Sequence, residues 1–574
     1  MKKKINKWNW GVLALSIMLF ISCESVELDQ TENPAAATPD QSEVELFLNT
    51  IQIDFGRNMG RFNRIGAQLT RIEYMFGRDY LNNYPPSTMN TIWTEAYQGM
   101  FEDITTMKPN ALNAELYDHI GIAETLQAYM LINLVDFIGD VPFTQANDSD
   151  SFPLPQVDQG SSVYQAALDL LNSAENNFNQ TSLGTVGNDF YYGGDISKWQ
   201  KLINTLRMKI YLQTRLVDSM AMTNFNIIAG DPGAYISSNE DDFQFSWGDN
   251  VQNPDTRHPD YVNNYTVSGA NGYISNWLMY KMLGDQANGT LSTLPIDPRI
   301  QYYFVRQKAN VPGVDGTPPD GNLLGCSQQS PPSHYSSDNP IYASEWMNQF
   351  CGLSNGYWGR AHGNDEGGPG DGFHKTTYGV YPAGGLFDDN DFEEVAVGSG
   401  GGGAGISPIM LASYVDFMLA EAAMDPQGSG LAAAKMHMLD GLNKSITKVQ
   451  SFATLDISAD PITFATPTQN SNFVNAVEMA WDNGGTIDKW NLLAEQYFIT
   501  QFGAGMDAYN FYRRNGFPHS LTPNLEANDG NFIRSFFYPD TETGANPNIS
   551  QKPNHDVQVF WDMNPSSPGF PQAN

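Results

Sequence analysis

Across 574 residues the chain carries 30 Lys and Arg against 64 Asp and Glu, a formal net charge of −34. Nucleic acid and anionic lipid surfaces both require a basic patch that this balance does not supply, so nucleic-acid binding is excluded. Solubility is the plain reading of the acidity, which also admits bound cations.

The N-terminus MKKKINKWNW places Lys2, Lys3, Lys4 and Lys7 ahead of VLALSIMLFI, ten residues that are mostly apolar. At about 1.5 Å per residue that run falls far short of a bilayer's hydrocarbon thickness, and a basic region followed by a short apolar one reads as a secretory signal. In LFISCESVELDQ the signal meets Ser22-Cys23, where a bacterial lipoprotein is cut, acylated on the cysteine and anchored; Phe20 and Ile21 are bulkier than that pattern prefers, and an ordinary secreted protein is the alternative. The expected division is a signal over 1–22, a flexible tether over 23–41 and a folded body over 42–574, although length alone would allow about two to four domains. With Cys23 as the lipidated residue, Cys326 and Cys351 remain. In an oxidising compartment they can pair, and the connectivity is then forced, while the geometry stays open.

Helical periodicity follows the tether. In SSVYQAALDLLNSAENNF, Val163, Ala166, Ala167, Leu170, Ala174 and Phe178 recur at steps of three and four, an amphipathic helix with one buried stripe. Similar stripes run over 116–139, 197–217, 408–424 and 486–502. Trp199 and Trp490 lie on such stripes and are expected in the core, whereas Trp247 alternates with Phe243 and Phe245 as one buried face of a strand. The expected architecture is mainly α: paired helices packed against an irregular, loop-rich lobe with short β elements, the lobe drawn from 231–275, 308–407 and 515–574. No exact internal repeat establishes a solenoid.

Several motifs are weighed against plainer readings. Gly398, Gly400 and Gly403 satisfy a dinucleotide-type glycine spacing, but no second parallel-strand unit follows, so a flexible loop is the reading. Asp365, Glu366 and Asp371 in one loop, and Asp388 and Asp389 in another, are oxygen-only clusters suited to structural Ca²⁺; neither has the full calcium-loop spacing, and solvated turns are the alternative. No nucleophile elbow is present, and the many acids single out no hydrolytic pair. No other cofactor is expected. Sugar rings stack their C–H faces on aromatics while their hydroxyls need polar partners. Candidate ligand residues are therefore Arg78, Tyr80, Asn82 and Tyr84 in GRDYLNNYPPS, Trp346 in SEWMNQF, and Tyr357, Trp358 and Arg360 in SNGYWGRAHGND.

A set of segments in chain order resembles the SusD/RagB family. These are LVDFIGDVPFTQA with FPLPQVDQG, GGDISKWQKLINTLRMKIYLQTRL, SPIMLASYVDFMLAEAAM, KWNLLAEQYFITQFGAGMDAYNFYRRNGFP, FIRSFFYPDTETGANPNISQ and VFWD. DPR at 297–299 and YPAGG at 381–385 are similar to the SusD-like branch. The resemblance implies tetratricopeptide-like helix pairs in a single α-rich domain and a lipoprotein of the outer membrane. Glu24, Glu27 and Asp29 after Cys23 are similar to the acidic stretch associated with export to the outer face. It further implies a non-enzymatic role: capture of an oligomeric nutrient, here a glycan, for a SusC-like TonB-dependent barrel over which the protein acts as a lid. The same role for peptides, a secreted glycan hydrolase and a structural adhesin are the alternatives.

Overall fold

The computed structural model describes residues 39–77, 79–287, 294–316, 324–337, 342–366 and 370–565. Cys23, the signal and most of the tether lie outside these residues, as does Arg78. The first helix, α1 (Pro39–Leu69), begins within the stretch assigned to the tether. There follow α2 (Glu102–Asn113), α3 (Tyr117–Ile138), α4 (Gly160–Phe178) and α5 (Ile196–Thr214). Later come α6 (Ala412–Met424), α7 (Leu431–Gln450), α8 (Pro467–Asn483), α9 (Thr486–Thr500) and α10 (Met506–Asn515).

The helices pack as antiparallel neighbours, α3 on α4 and α6 on α7, with α1 lying against α2, α3 and α10. In α4, Val163, Ala167, Ala174 and Phe178 are buried as its periodicity predicts, whereas Ala166 and Leu170 are half-buried and the neighbouring Leu171 is the leucine that the stripe encloses. The stripe docks on α3, which is buried on every side and so acts as the central rod of the bundle. Gly139 stops α3: its φ of 100° suits glycine alone, and its N–H closes on the Val135 carbonyl at 2.8 Å. Asp158 then fixes the turn between the two helices. Its carboxylate accepts from the Phe143 and Thr144 amides at 2.8 and 2.9 Å, which gives the aspartate of FPLPQVDQG its structural role. Asp195 caps α5 and Trp199 is wholly buried, as expected.

Sequence and structure part at 408–424. Ile406–Met410 forms a strand, β4, and α6 starts only at Ala412, because Pro408 has no amide for a helical hydrogen bond and holds its neighbour extended. β4 pairs antiparallel with β1 (Phe243–Ser246), and β2 (Phe304–Val305) pairs with β3 (Thr377–Tyr378). Helices and lobe share one large hydrophobic cluster. A second, small one holds Val311, Leu324, Cys326, Phe350 and Trp358, closed by the Cys326–Cys351 disulfide.

The C-terminal segment returns to the bundle. The Arg534 guanidinium pairs with Asp562, Trp561 donates to Asp136 at 3.0 Å, and Phe536 N–H donates to the Phe137 carbonyl at 2.7 Å. The last two motifs of the chain are thus clamps onto α3. Among the described residues no helix is long and apolar enough to cross a membrane.

Candidate functional site

The aromatic residues expected on an open platform are core residues instead. Tyr80 lies beneath the lobe surface, within 3.2 Å of the Arg71 guanidinium and 3.3 Å of His362 Nε2. Tyr84 donates to Gln68 at 2.8 Å and meets Phe536 edge-on, and Trp346 donates to the Ser520 carbonyl at 3.0 Å. Trp358 fills the disulfide cluster, while Arg360 is buried against Tyr273, 4.4 Å from the ring centroid, and donates to Asn364. Asn82 is exposed, with its amide donating to Asp79. The physical reason is that an irregular lobe has no regular apolar stripe, so large rings with one polar tip become its core. Burial, followed by Arg71, holds the His362 imidazole well below its ordinary range. Tyr357, also buried, lies under the Arg306 guanidinium and borders a cleft of about 600 Å³ with Asn355 and Asn390.

The acidic loop residues serve as turn and ion-pair carboxylates. Asp388 accepts from Arg306 through both oxygens, at 2.7 and 3.1 Å. Asp371 accepts from the Tyr273 hydroxyl at 2.6 Å and lies 3.6 Å from Lys375, Glu366 lies 3.9 Å from Arg360, and Asp389 caps the Asp391 amide. Neither these nor Asp365 join a group of three or more His, Cys, Asp or Glu that could hold a metal among the described residues.

The site with the form of a binding cleft lies elsewhere, along α1. About 600 Å³ of space is bounded by one face of that helix, by Phe245 and Trp247, by the stretch His258–Asp260, and by Ser407 and Ile409 of β4. Gly56 and Gly60, one turn apart, both border the cleft, but a Cβ at Gly56 would meet the Tyr191 hydroxyl at 3.0 Å, so that glycine makes room for a side chain of the protein itself. Glycine inside a helix costs about 0.5–1 kcal/mol relative to alanine. A Cβ at Gly60 would meet nothing within 4 Å, so no contact within the protein demands the glycine there, and the volume it leaves belongs to the cleft.

Trp247 and Phe245 stand at the other wall with ring centroids 4.9 Å apart. The expectation that this strand face is buried holds for Phe243, which is fully enclosed, but not for the other two, which are half-buried. β1 ends at Ser246, so its inward face runs out past the edge of the core and is uncovered there. The indole is fixed by its N–H donating to Ser407 Oγ at 2.9 Å.

Three cations line the helix side. Arg61 grips Glu95 with both terminal nitrogens, Arg64 pairs with Asp260 at 2.6 Å, and Arg57 lies 3.4 Å from Asp54. Burial pushes the Glu73 carboxyl well above its ordinary range, with Arg64 opposing and Asp260 adding. Burial likewise lowers the pKa of His258, whose Nδ1 accepts the Asp260 amide at 3.1 Å, leaving the remaining ring nitrogen protonated. Half-open rings beside guanidinium, amide and carboxylate groups can hold a ligand with apolar faces and polar edges. Sequence reasoning missed the cleft. Its available signal was Gly56-x-x-x-Gly60 inside a long helix, with arginines at steps of four and three.

Comparison with known proteins gives a consistent assignment. Residues 35–346 match a family model described as starch-binding and associating with the outer membrane, and residues 406–555 match one described as a SusD and RagB outer membrane lipoprotein. A search of curated proteins returned no match. Among solved structures, a chitin-binding protein is 17% identical with a TM-score of 0.61, covering 91% of this chain and 100% of its own. A SusD/RagB family protein from Bacteroides thetaiotaomicron is 19% identical with a TM-score of 0.61, covering 91% and 99%. A SusD homologue from Bacteroides fragilis is 16% identical with a TM-score of 0.58, covering 90% and 99%. At such identities the structures speak to fold, and the fold they share is the helix-rich one described above. With one family model spanning more than half of its length and a second covering the C-terminal part, the chain belongs to the SusD-like family of outer membrane lipoproteins.

Proposed function

We propose that this protein is a surface-exposed, lipid-anchored binding protein that holds a glycan oligomer in the α1 cleft and presents it to a SusC-like TonB-dependent barrel. Cys23 is its acylation site. The observation that carries the reading is the cleft itself: a glycine floor that lets a ligand approach the helix backbone, faced by two half-open rings and rimmed by polar groups. A pyranose matches that arrangement, with C–H faces for the rings and hydroxyls for the rim. The family descriptions name starch binding and outer-membrane association, and one structural neighbour is named as chitin-binding. Both agree with a glycan in preference to a peptide and with binding in preference to catalysis. The cleft walls are a helix and strand ends already held by tertiary contacts, so capture requires little ordering of the protein.

The test is calorimetric titration of the soluble protein, begun just after Cys23, with oligomers chosen from a glycan array. Trp247→Ala is expected to weaken the best ligand at least about tenfold, as loss of an anchoring aromatic does, with an unchanged circular dichroism spectrum. Unchanged affinity in that variant would overturn the site assignment. Binding of peptides in place of glycans would overturn the ligand class.

A further inference from the structure

The α1 cleft sets Arg57, Arg61 and Arg64 beside four carboxylates: Asp54 and Glu95, the partners of Arg57 and Arg61, and the two that line the cleft itself, Glu73 and Asp260. The two acids contribute less negative charge than their number suggests. Asp260 is paired with Arg64, and burial keeps the Glu73 carboxyl up, toward its neutral form. The three arginines also differ. Arg61 is held by Glu95 through two nitrogens, and Arg64 by Asp260. Arg57 lies one helical turn from Gly60 with 61% of its side chain exposed, and among the described residues its partner is Asp54, at 3.4 Å. Burial, then Glu95, raise the Asp54 pKa, and Arg57 opposes them. An exposed contact of this kind contributes little, so exchanging it for a better acceptor loses little. The planar fork of an arginine fits a carboxylate through two parallel hydrogen bonds.

We propose that the cleft selects acidic oligosaccharides, with a uronate carboxylate bound by Arg57 while the sugar ring packs on Trp247 and the floor at Gly60; this rests on the reading of the cleft as a glycan site. A saccharide is favoured over an acidic peptide because the surface opposite the guanidinium is aromatic, half-open and held rigid by Ser407.

The experiment titrates the soluble protein with oligouronides (galacturonate, glucuronate-containing and mannuronate oligomers), with neutral oligomers of matching length, and with triglutamate. The expected result is that one acidic oligomer binds at least tenfold tighter than its neutral counterpart. Arg57→Gln should lower acidic affinity at least tenfold, and by more than it lowers neutral affinity, while Arg57→Lys, keeping charge but losing the fork, should give an intermediate loss. Preference for neutral oligomers, or an Arg57→Gln variant with full acidic affinity, would overturn the selectivity and leave the glycan reading standing. Triglutamate binding as tightly as the best oligouronide would overturn the saccharide assignment, and binding of no saccharide at all would overturn both readings.

Discussion

Glu421, in the Ala-Glu-Ala motif of α6, is fully buried and holds three elements together. Its Oε1 accepts from Arg514 Nε at 2.7 Å and from Asn515 Nδ2 at 2.9 Å, its Oε2 accepts from Arg514 Nη2 at 2.6 Å, and Arg215 approaches at 3.1 Å. Arg514 belongs to α10 and Arg215 caps the end of α5, so one carboxylate fastens three helices. Glu421→Gln preserves shape but removes the charge and turns amide hydrogens toward one guanidinium. Arg215 then keeps Asp425 at 3.3 Å, while Arg514 loses its ion-pair partner and is left donating to Gln213. Leaving such a charge uncompensated costs about 3–5 kcal/mol. That is a large part of the roughly 5–15 kcal/mol by which a folded domain is stable. Burial pushes the Glu421 carboxyl up, but Arg514 and Arg215 together push it further down, so the net direction is below the ordinary 4.5. A depressed carboxylate stabilises the fold above its unfolded pKa and loses that contribution as pH falls through the folded one. The gap between wild type and Glu421→Gln should therefore be widest at neutral pH and shrink under acid. Urea unfolding followed by circular dichroism measures it, and Glu421→Met with Arg514→Met should be less damaging than Glu421→Gln alone, since removing both charges leaves less uncompensated. A loss under about 1 kcal/mol at neutral pH with an unchanged denaturant slope would refute the buried-pair reasoning.

Gly60→Ala should stabilise the fold by about 0.5–1 kcal/mol, because helical glycine is unfavourable and the added methyl meets open space, yet it should weaken glycan binding; thermal melts paired with calorimetry check both signs. Replacing Cys326 and Cys351 by Ser opens a link between positions 25 apart, which loop entropy values on the order of 3 kcal/mol. The loss should appear as faster hydrogen exchange around Val311, Phe350 and Trp358 while α3 and α6 stay protected. Burial, then Lys552, lowers the pKa of His555 from 6.5 to about 4. The unfolded chain takes up that proton first, so stability should fall by at most about 3 kcal/mol as pH drops from 6.5 to 4 and then level off. His555→Phe should flatten that part of the profile, and an identical slope in the variant would count against the assignment.

The helical frame was legible because burial there repeats with the helix turn, as in Val163, Ala167, Leu171, Ala174 and Phe178, so short windows of sequence contain the answer. The disulfide was legible as a possibility once Cys23 was set aside, since two cysteines leave one pairing. The lobe was not legible at that range. Trp277 and Trp346 both donate to the Ser520 carbonyl, across 243 and 174 residues, and no local pattern encodes such a meeting. The glycines, asparagines and arginines around Tyr80, Tyr357 and Trp358 suggested exposure, but there they serve turns and ring-stacking cations within a core assembled from distant segments. Polarity of neighbours in sequence predicts burial only where the neighbours in space are the same residues.

That distinction also explains why the cleft formed where it did. α1 is pinned from behind: Asn63 donates to the Pro408 carbonyl at 3.3 Å and accepts the Met506 amide at 3.3 Å, tying the helix to β4 and α10. A Cβ on Gly66 would come within 2.4 Å of the Gly505 carbonyl oxygen, so helix and loop backbones touch there, and the last turns of α1 have no room to shift. With one wall held in this way, and the other set by the pairing of β1 with β4, the separation between Gly60 and Trp247 follows from backbone packing and does not depend on flexible side chains. A ligand entering such a gap meets surfaces already in place, so affinity there rests on how well its own shape and charge match the floor, the indole and Arg57.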